Sequence, residues 1–532
     1  MFSSTFTADQ IRAAEAPLLA AQEFEDQLMQ SAAHAVAEVA NVMLAGVTET
    51  RARVLVLAGP GGNGGDGLYA GAELLLAGHR VDAVLPTGSA QERALRAFTA
   101  AGGEVLEELP EQWQDYALVI DAMTGIGATG EVRENLRPAV ELANALNAQV
   151  LAVDLPTGVE ADTGWAGQCH VNADVTVTFG GWRRAHGLSP ACGVQLLADI
   201  GLPGKRLHET LGDQLTLWAE DGPPLLIANR AVLPEQKWTE QKWPDGIQTL
   251  WQPPLQDIAP GPEDDKYTGG VVGIRAGSDG YPGAAILSTA GAVNATPAMV
   301  RYAGPQAVEV VRAHPEVVAT HTLQDAGRVQ AWVFGPGAGT DEAAAAELRW
   351  VLGQEVPVLI DADGLTLLTQ HPNLREQVAK REQMTVLTPH DGEFARLCEA
   401  ADVGESDRMA ETIALAAALQ CTVVRKWRVT VIAHEGDPYT AYAIDAGHSW
   451  AATPGSGDVL AGIAGAHLAL MHAKRLWEEV ALAGAVAVHA LAAKLAAATA
   501  YGDATAPASR IAEFIRPATA KMRNDCLLYT SP

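Results

Sequence analysis

The nine residues Gly59-Pro-Gly-Gly-Asn-Gly-Gly-Asp-Gly67 follow the apolar run Arg53-Val-Leu-Val-Leu-Ala58 without a break and open into a stretch patterned as a helix. Seven of the nine are glycine or proline. A glycine gives up more conformational freedom on folding than any other residue, so such a run marks a turn where the backbone passes close to something. It satisfies G-x-G-x-x-G twice, and Asp82 falls near the place of a ribose-binding acid. An ordinary dinucleotide-binding fold is therefore one reading, and a tight turn without ligand is another. Two further strand-like runs end in acids, Val119-Ile-Asp121-Ala-Met-Thr-Gly-Ile-Gly127 and Leu151-Ala-Val-Asp154-Leu-Pro-Thr157-Gly158. Either aspartate alone reads as a helix cap. Ligands of open α/β sheets bind outside the carboxyl ends of strands, so three such ends together define one crevice.

Outward from the loop, strands and helices alternate. Helical spacing runs over Ile11 to Ala20 and Leu28 to Leu44; then come predicted helices Gly67 to Ala77, Gln91 to Ala101 and Arg137 to Asn147. Between them lie predicted strands 53–58, Val81 to Leu85, Ala117 to Ile120, Gln149 to Val153 and Asp174 to Phe179. That order predicts a mostly parallel sheet with helices on both faces, a Rossmann-like three-layer domain over 1–212. Periodicity decays between Gly201 and Pro262 in a stretch rich in Pro, Trp and Gln, with Trp238, Trp243, Trp251 and Pro253-Pro254, and a linker is expected over 213–261. A second α/β series follows, from the strand Gly270 to Ile274 to the helix Trp477 to Ala498, giving a second domain over 262–523. Asn524 to Pro532 follow no pattern and are expected to form a disordered tail.

The chain has 532 residues, too many for one core. Lys and Arg number 36 against 64 Asp and Glu, a net charge of −28, which argues against a nucleic-acid partner or an anionic membrane face. Any phosphate must be held locally, by backbone N–H groups and a few placed cations. The five cysteines are widely spaced with no C-x-x-C, so neither a zinc site nor a disulfide framework is suggested and a reducing compartment fits. Asp9, Arg12, Glu15, Glu23, Glu25 and Asp26 in the first thirty residues exclude a secretory segment there, and a cytoplasmic protein is expected. The uncharged run Gly280 to Val300 is interrupted by Pro282, Gly283, Gly291, Asn294 and Pro297; it reads as a buried turn and helix rather than a membrane span.

The glycine string, the Asp121 turn and the stretch Val153-Asp-Leu-Pro-Thr-Gly-Val-Glu-Ala-Asp-Thr-Gly164 resemble the NAD(P)H-hydrate epimerase (YjeF N-terminal) family over about residues 8–210. The resemblance implies that Gly62, Asn63, Gly64, Gly65, Asp66, Gly125, Ile126, Gly127 and Asp154 contact the hydrate. It implies a potassium ion on Asn63, Asp121 and Thr157, a donor set of oxygens that suits a hard cation. Asp154 would be the acid–base residue. The chain departs from the family pattern at Gly62, where a second Asn is usual.

In the second half, Thr453-Pro-Gly-Ser-Gly457-Asp458-Val-Leu-Ala-Gly462 runs a glycine turn into an apolar helix. Amides at such a helix start hold an anion, and an aspartate in the first turn can take a proton from an attacking hydroxyl, which suits phosphoryl transfer. Alternatively Asp458 only complements the helix dipole. The turn resembles the ribokinase-like fold. With Asp265-Lys-Tyr-Thr-Gly-Gly270, Gly277-Ser-Asp-Gly-Tyr-Pro-Gly-Ala-Ala285, Phe334-Gly-Pro-Gly-Ala-Gly339, Ile360-Asp-Ala-Asp-Gly364, Thr388-Pro-His390-Asp-Gly-Glu393 and Val424-Arg-Lys426, the half resembles the ADP-dependent NAD(P)H-hydrate dehydratase family over about 262–520. The resemblance implies hydrate contacts at Ala285, Gly337, His390 and Asp458, and ADP with Mg²⁺ along Lys426, Trp427, Arg428, Val429, Thr430 and Gly457. Trp427 and Pro454 replace usual glycines. The implied activity joins epimerisation of the R and S forms of hydrated NADH and NADPH to ADP-dependent dehydration of the S form, giving AMP and phosphate. A vitamin or sugar kinase and a non-catalytic ligand-binding scaffold are the rival readings, and homo-oligomerisation is left open.

Overall fold

A computed structural model describes residues 3–45, 53–111, 116–211, 225–230, 247–249, 262–296, 298–437, 440–474 and 478–530. The chain divides into two compact units, one mainly Ser3–Ala228 and the other mainly Gln252–Pro532.

The first unit carries β1 (Ser3–Phe6), β2 (Arg53–Ala58), β3 (Arg80–Val84), β4 (Glu104–Leu106), β5 (Leu118–Ala122), β6 (Gln149–Val153) and β7 (Val175–Phe179). After them come β8 (Trp182–Arg183), β9 (Val194–Ala198), β10 (Gly201–Leu202), β11 (Lys205–Arg206), β12 (Leu225–Arg230) and β13 (Ile247–Thr249). Its main sheet runs β13-β9-β7-β6-β5-β2-β3-β4, parallel throughout except for β13. Strands 53–58, 118–122 and 149–153 are buried on both faces, which is why their sequences read as continuous apolar runs rather than alternating ones. Helices α1 (Ala8–Ala20), α2 (Gln27–Leu44), α3 (Gly62–Leu76), α4 (Glu92–Ala100) and α5 (Arg137–Ala145) complete the part that matters for the site.

The glycine segment differs from expectation in one respect: α3 already begins at Gly62, not after Gly67. None of the glycines from 59 to 67 has positive φ. Gly59, Gly64, Gly65 and Gly67 are small for packing reasons. A Cβ on Gly64 would fall 1.9 Å from the Gly59 carbonyl oxygen, and one on Gly67 would fall 2.5 Å from Ala122 Cβ. Tertiary packing thus overrides the poor helix propensity of glycine. Of the expected linker 213–261, residues 225–230 and 247–249 form strands β12 and β13; its remainder, with Trp238, Trp243 and Trp251, lies outside the described residues.

In the second unit β14 (Val272–Arg275), β15 (Val300–Ala303), β16 (Val318–Thr320), β17 (Ala331–Phe334), β18 (Val358–Ile360), β19 (Thr385–Leu387), β20 (Thr422–Arg425), β21 (Val429–Ala433) and β22 (Thr440–Asp445) form a sheet in the order β16-β15-β14-β17-β18-β19-β20-β21-β22. The pairs β20/β21 and β21/β22 are antiparallel and the others parallel. The uncharged run 280–300 supplies the helix Pro282–Ala295, which packs on the helix Ser456–Lys474 with backbones almost touching. A Cβ on Gly462 would come within 2.0 Å of Ser288 O, and one on Gly291 within 2.2 Å of Val459 O. Both helices are apolar nearly all round, as buried helices are. The expected disordered tail is corrected over 524–530: the last helix spans Ile515–Thr530, because no glycine or proline interrupts the chain between Ala518 and Thr530, and 531–532 lie outside the described residues. Among the described residues no helix is long and apolar enough to cross a membrane.

Candidate active sites

At the carboxyl ends of β2, β5 and β6 lies a cavity of about 530 Å³. Gly62, Asn63, Gly64, Asp66, Gly125, Ile126, Gly127, Asp154 and Thr157 line it. Gly65 does not; its α-carbon faces Met29 of α2, whose sulfur would lie 2.5 Å from an added Cβ. Asp121 is fully buried behind the wall and binds two strand ends together: Thr157 donates to it from both its backbone N and its Oγ1, each at 2.7 Å. Burial pushes the Asp121 carboxyl up to about 6, offset only by hydrogen bonds from Thr157 and Met123. Asn63 Nδ2 donates to Val153 O at 2.7 Å and Thr124 O at 3.0 Å, and Thr124 Oγ1 donates to Thr157 Oγ1 at 3.2 Å.

Asp154 sits one residue beyond β6 with φ of 64°, a strained region for a residue other than glycine. Four contacts hold it there. Its backbone N donates to Val177 O, Thr178 Oγ1 donates to its Oδ1 at 2.8 Å, and Arg183 Nη2 lies 2.9 Å from the same oxygen. His186 supplies the fourth. Its Nδ1 accepts from Arg183 N, so Nε2 carries the proton and donates to Asp154 O at 2.8 Å. Burial keeps His186 neutral, with its pKa lowered to about 4.

Three acids share the cavity with Asp154: Glu15, Asp66 and Glu131. Asp66 is raised well above the carboxylate range by burial, then by Asp154 and Glu15; Glu15 is raised by burial and pulled back by Arg183. The sequence reading missed Glu15 and Arg183. For Glu15 a signal exists, because helical spacing puts it on the stripe of Ile11, Ala14 and Leu18, all buried. Asp82, the expected ribose acid of the dinucleotide reading, is instead in mid-strand, bound to Arg53 Nε and Tyr116 OH at 2.8 Å each. Both donate to Oδ2, and Asp82 is not among the residues that line the cavity.

In the second unit Asp458 occupies the first turn of the helix Ser456–Lys474, after Gly455 with φ of 82°. Lys426, one residue past β20, places Nζ 2.6 Å from Asp361 Oδ1, one residue past β18. The same ammonium would lie 3.4 Å from a Cβ on Gly457, so lysine, aspartate and glycine turn converge. Burial and then the charge of Asp361 push the Asp458 carboxyl up to about 7, against a smaller pull from Lys426. His390 caps the helix Asp391–Ala401 and bridges to Lys426 through the backbone; Gly392 N donates to its Nδ1 at 3.0 Å. Gly337, with φ of 59°, packs on Tyr281 and Ala284, and Ala285 packs on Gly277.

The stretch 25–185 matches the family described as YjeF-related protein N-terminus, and 272–516 matches NAD(P)H-hydrate dehydratase. A bifunctional NAD(P)H-hydrate repair enzyme of Corynebacterium glutamicum is 43% identical over 97% of this chain and 98% of its own length. The chain belongs to the bifunctional NAD(P)H-hydrate repair enzyme family. The corresponding enzyme of Mycobacterium tuberculosis is 45% identical over 87% of this chain and 89% of its own. Among solved structures, an ADP/ATP-dependent NAD(P)H-hydrate dehydratase from Bacillus subtilis, co-crystallised with ATP and Mg²⁺, covers 50% of this chain and 94% of its own at 24% identity and a TM-score of 0.42.

The expected nucleotide residues of this family member divide in two. Lys426 and Gly457 face each other at the Asp458 turn. Trp427 is 61% exposed with the Arg408 guanidinium 5.2 Å from its ring centre, and Arg428 Nε lies 3.6 Å from Asp445 Oδ1. Val429 and Thr430 are buried strand residues, and Thr430 Oγ1 donates to Trp427 O. Their side chains are thus spent on the turn and the sheet. Among the described residues no three His, Cys, Asp or Glu side chains group as a metal site.

Proposed function

We propose that the chain repairs hydrated NADH and NADPH with two sites, epimerising the R and S hydrates at the cavity of the first unit and dehydrating the S hydrate at Asp458 in the second. The observation that carries the dehydratase half is the Asp458 carboxyl, poised near pH 7 beside a lysine and an amide-lined glycine turn. The hydrate hydroxyl is a poor leaving group. Asp458 takes its proton as it attacks phosphorus, and the Gly455–Asp458 turn offers N–H groups to the transferred phosphoryl. ADP with Mg²⁺, when bound, supplies that phosphoryl, and elimination of phosphate, driven by the ring nitrogen lone pair, restores the reduced dinucleotide and leaves AMP. Lys426 would hold the nucleotide phosphates. Mg²⁺ commonly takes one or two carboxylates and otherwise phosphate and water oxygens.

In the epimerase cavity, the loop 59–67 would hold the dinucleotide phosphates and Asp154 would be the acid–base group as the configuration at the hydroxyl-bearing carbon inverts. Potassium would be held by Asn63, Asp121 and Thr157, where it would supply positive charge to a buried carboxylate that no lysine or arginine among the described residues neutralises. Incubating the chain with hydrated NADH, ADP and Mg²⁺ tests the reading through recovery of the reduced-nicotinamide absorbance. A phosphorylated product that accumulates with ATP, in place of NADH and AMP, would select the kinase reading instead.

A further inference from the structure

Glu15 stands outside the matched stretch 25–185, yet its side chain lines the same cavity as Asp66, Asp154 and Arg183. The helix α1 that carries it is firmly placed. Thr7 closes a capping box with Gln10, Ala8 N donates to Asp162 Oδ1 at 2.6 Å, and Ile11, Ala14 and Leu18 are wholly buried. Glu15 lies on that inward stripe, so its carboxyl is presented to the cavity by a rigid element, as a working group needs. Among the described residues no hydrogen bond or ion pair ties it down. Asp66, 8% exposed, is likewise without a hydrogen bond and opens on the same space. Asp154, in contrast, is fixed through Oδ1 by Thr178 and Arg183.

Inversion at the hydroxyl-bearing carbon of the hydrate sets a chemical requirement. That carbon is bonded to the ring nitrogen, so its C–O bond can break when a carboxylic acid gives the hydroxyl a proton. The hydroxyl leaves as water, and the nitrogen lone pair closes a C=N bond. A water then adds to the other face and gives a proton to a carboxylate, while the C=N electrons return to nitrogen. One water leaves and one enters, one proton is supplied and one recovered, and no oxidant or reductant is consumed. Two carboxyls in opposite protonation states are needed, and they exchange roles in the reverse direction.

We propose that Glu15 is the second catalytic group of the epimerase site, serving one face of the hydrate while Asp154 serves the other; this rests on the epimerase reading above. Asp66 is less suited to the exchange, since it is more deeply buried than Glu15 and both neighbouring acids disfavour its charge. Burial raises the Glu15 carboxyl, while Arg183 draws it down and Asp154 pushes it up.

The test uses the full chain and the pure R hydrate of NADH. Glu15→Gln keeps the shape but cannot carry the proton. Its epimerisation rate, corrected for the rate in buffer, should fall roughly 10²- to 10⁴-fold, with melting temperature and ADP-dependent turnover of the S hydrate unchanged. Glu15→Asp should recover part of the rate. Glu15→Gln epimerising like the wild type would overturn the inference while leaving the epimerase reading intact. So would a loss of rate that tracks a loss of folded protein, with Glu15→Asp restoring both together. Wild-type protein no faster than buffer would instead bring down the epimerase reading and this inference with it.

Discussion

Lys426 Nζ and Asp361 Oδ1, 65 residues apart in sequence, meet at 2.6 Å beside the turn that carries Asp458. The lysine is the counter-charge for a group of acids, and the pH at which Asp458 becomes a base depends on it. Lys426 lowers the Asp458 pKa while Asp361 and Asp363 raise it. Replacing Lys426 by Met should therefore move the acid limb of the dehydration rate, measured at saturating ADP, to higher pH. Asp361→Asn should move it to lower pH. Two limbs that coincide with the wild type's would show that Asp458 does not titrate in the rate.

The Asp458→Asn variant should lose roughly 10²- to 10⁴-fold in dehydration, the usual range for a general base, and keep epimerisation. A second consequence concerns stability. The folded pKa is raised from 3.8 to about 7, so the carboxyl binds its proton more tightly in the folded chain than in the unfolded one. Its contribution is fully present below pH 3.8 and is lost as pH rises through 7. Asparagine does not ionise, so at pH 8 the variant should melt at a higher temperature than the wild type. Equal melting at pH 8 with a wild-type rate would remove Asp458 from the mechanism.

How far the sequence discloses the site follows from the range of each interaction. Strands 118–122 and 149–153 and the acids at or just beyond their ends, Asp121 and Asp154, are legible because burial pattern and strand-end position are local properties. The role of the glycines at 64 and 67 is not, since what they make room for, Gly59 O and Ala122 Cβ, is set by tertiary packing. Asp82 misleads for the same reason: its partners Arg53 and Tyr116 come from neighbouring strands. The Lys426–Asp361 pair and the Arg183–Asp154 pair join separate strand ends, and neither spacing carries a periodic signal. Glu15 sits between these cases, visible as an acid on an apolar helical stripe but meaningful only once the cavity is known.

The glycine loop offers a contrast within three residues. An added Cβ at Gly62 meets nothing within 4 Å, whereas at Gly64 it meets the Gly59 carbonyl oxygen at 1.9 Å. Gly64→Ala should disrupt the first turn of α3 and cost several degrees in melting temperature, as overpacking does. Gly62→Ala should fold normally, because alanine is also the better helix former by about 1 kcal/mol, and should lose epimerisation through the methyl placed in the cavity wall. Melting temperatures in the reverse order would mean that the backbone here is not packed as described.

Asp121 tests the ion. It is fully buried, its hydrogen bonds come from Thr157 and Met123, and among the described residues no lysine or arginine offsets its charge. A buried carboxylate without a counter-charge is costly, and a cation on Asn63, Asp121 and Thr157 would remove that cost within a protein of net charge −28. Potassium that binds only the folded chain stabilises it by about 2.7 kcal/mol at a hundred times its Kd. The wild type should therefore melt several degrees higher in potassium chloride than in the chloride of a large organic cation at equal ionic strength, and epimerise faster. Asp121→Asn removes the charge but keeps the size, so its melting temperature should be the same in the two salts and its epimerisation low in both. ADP-dependent dehydration of the S hydrate should survive, because the Asp458 turn belongs to the other sheet. Equal melting and equal epimerisation of the wild type in the two salts would make Asp121 a structural tie between the ends of β5 and β6, with no ion beside it.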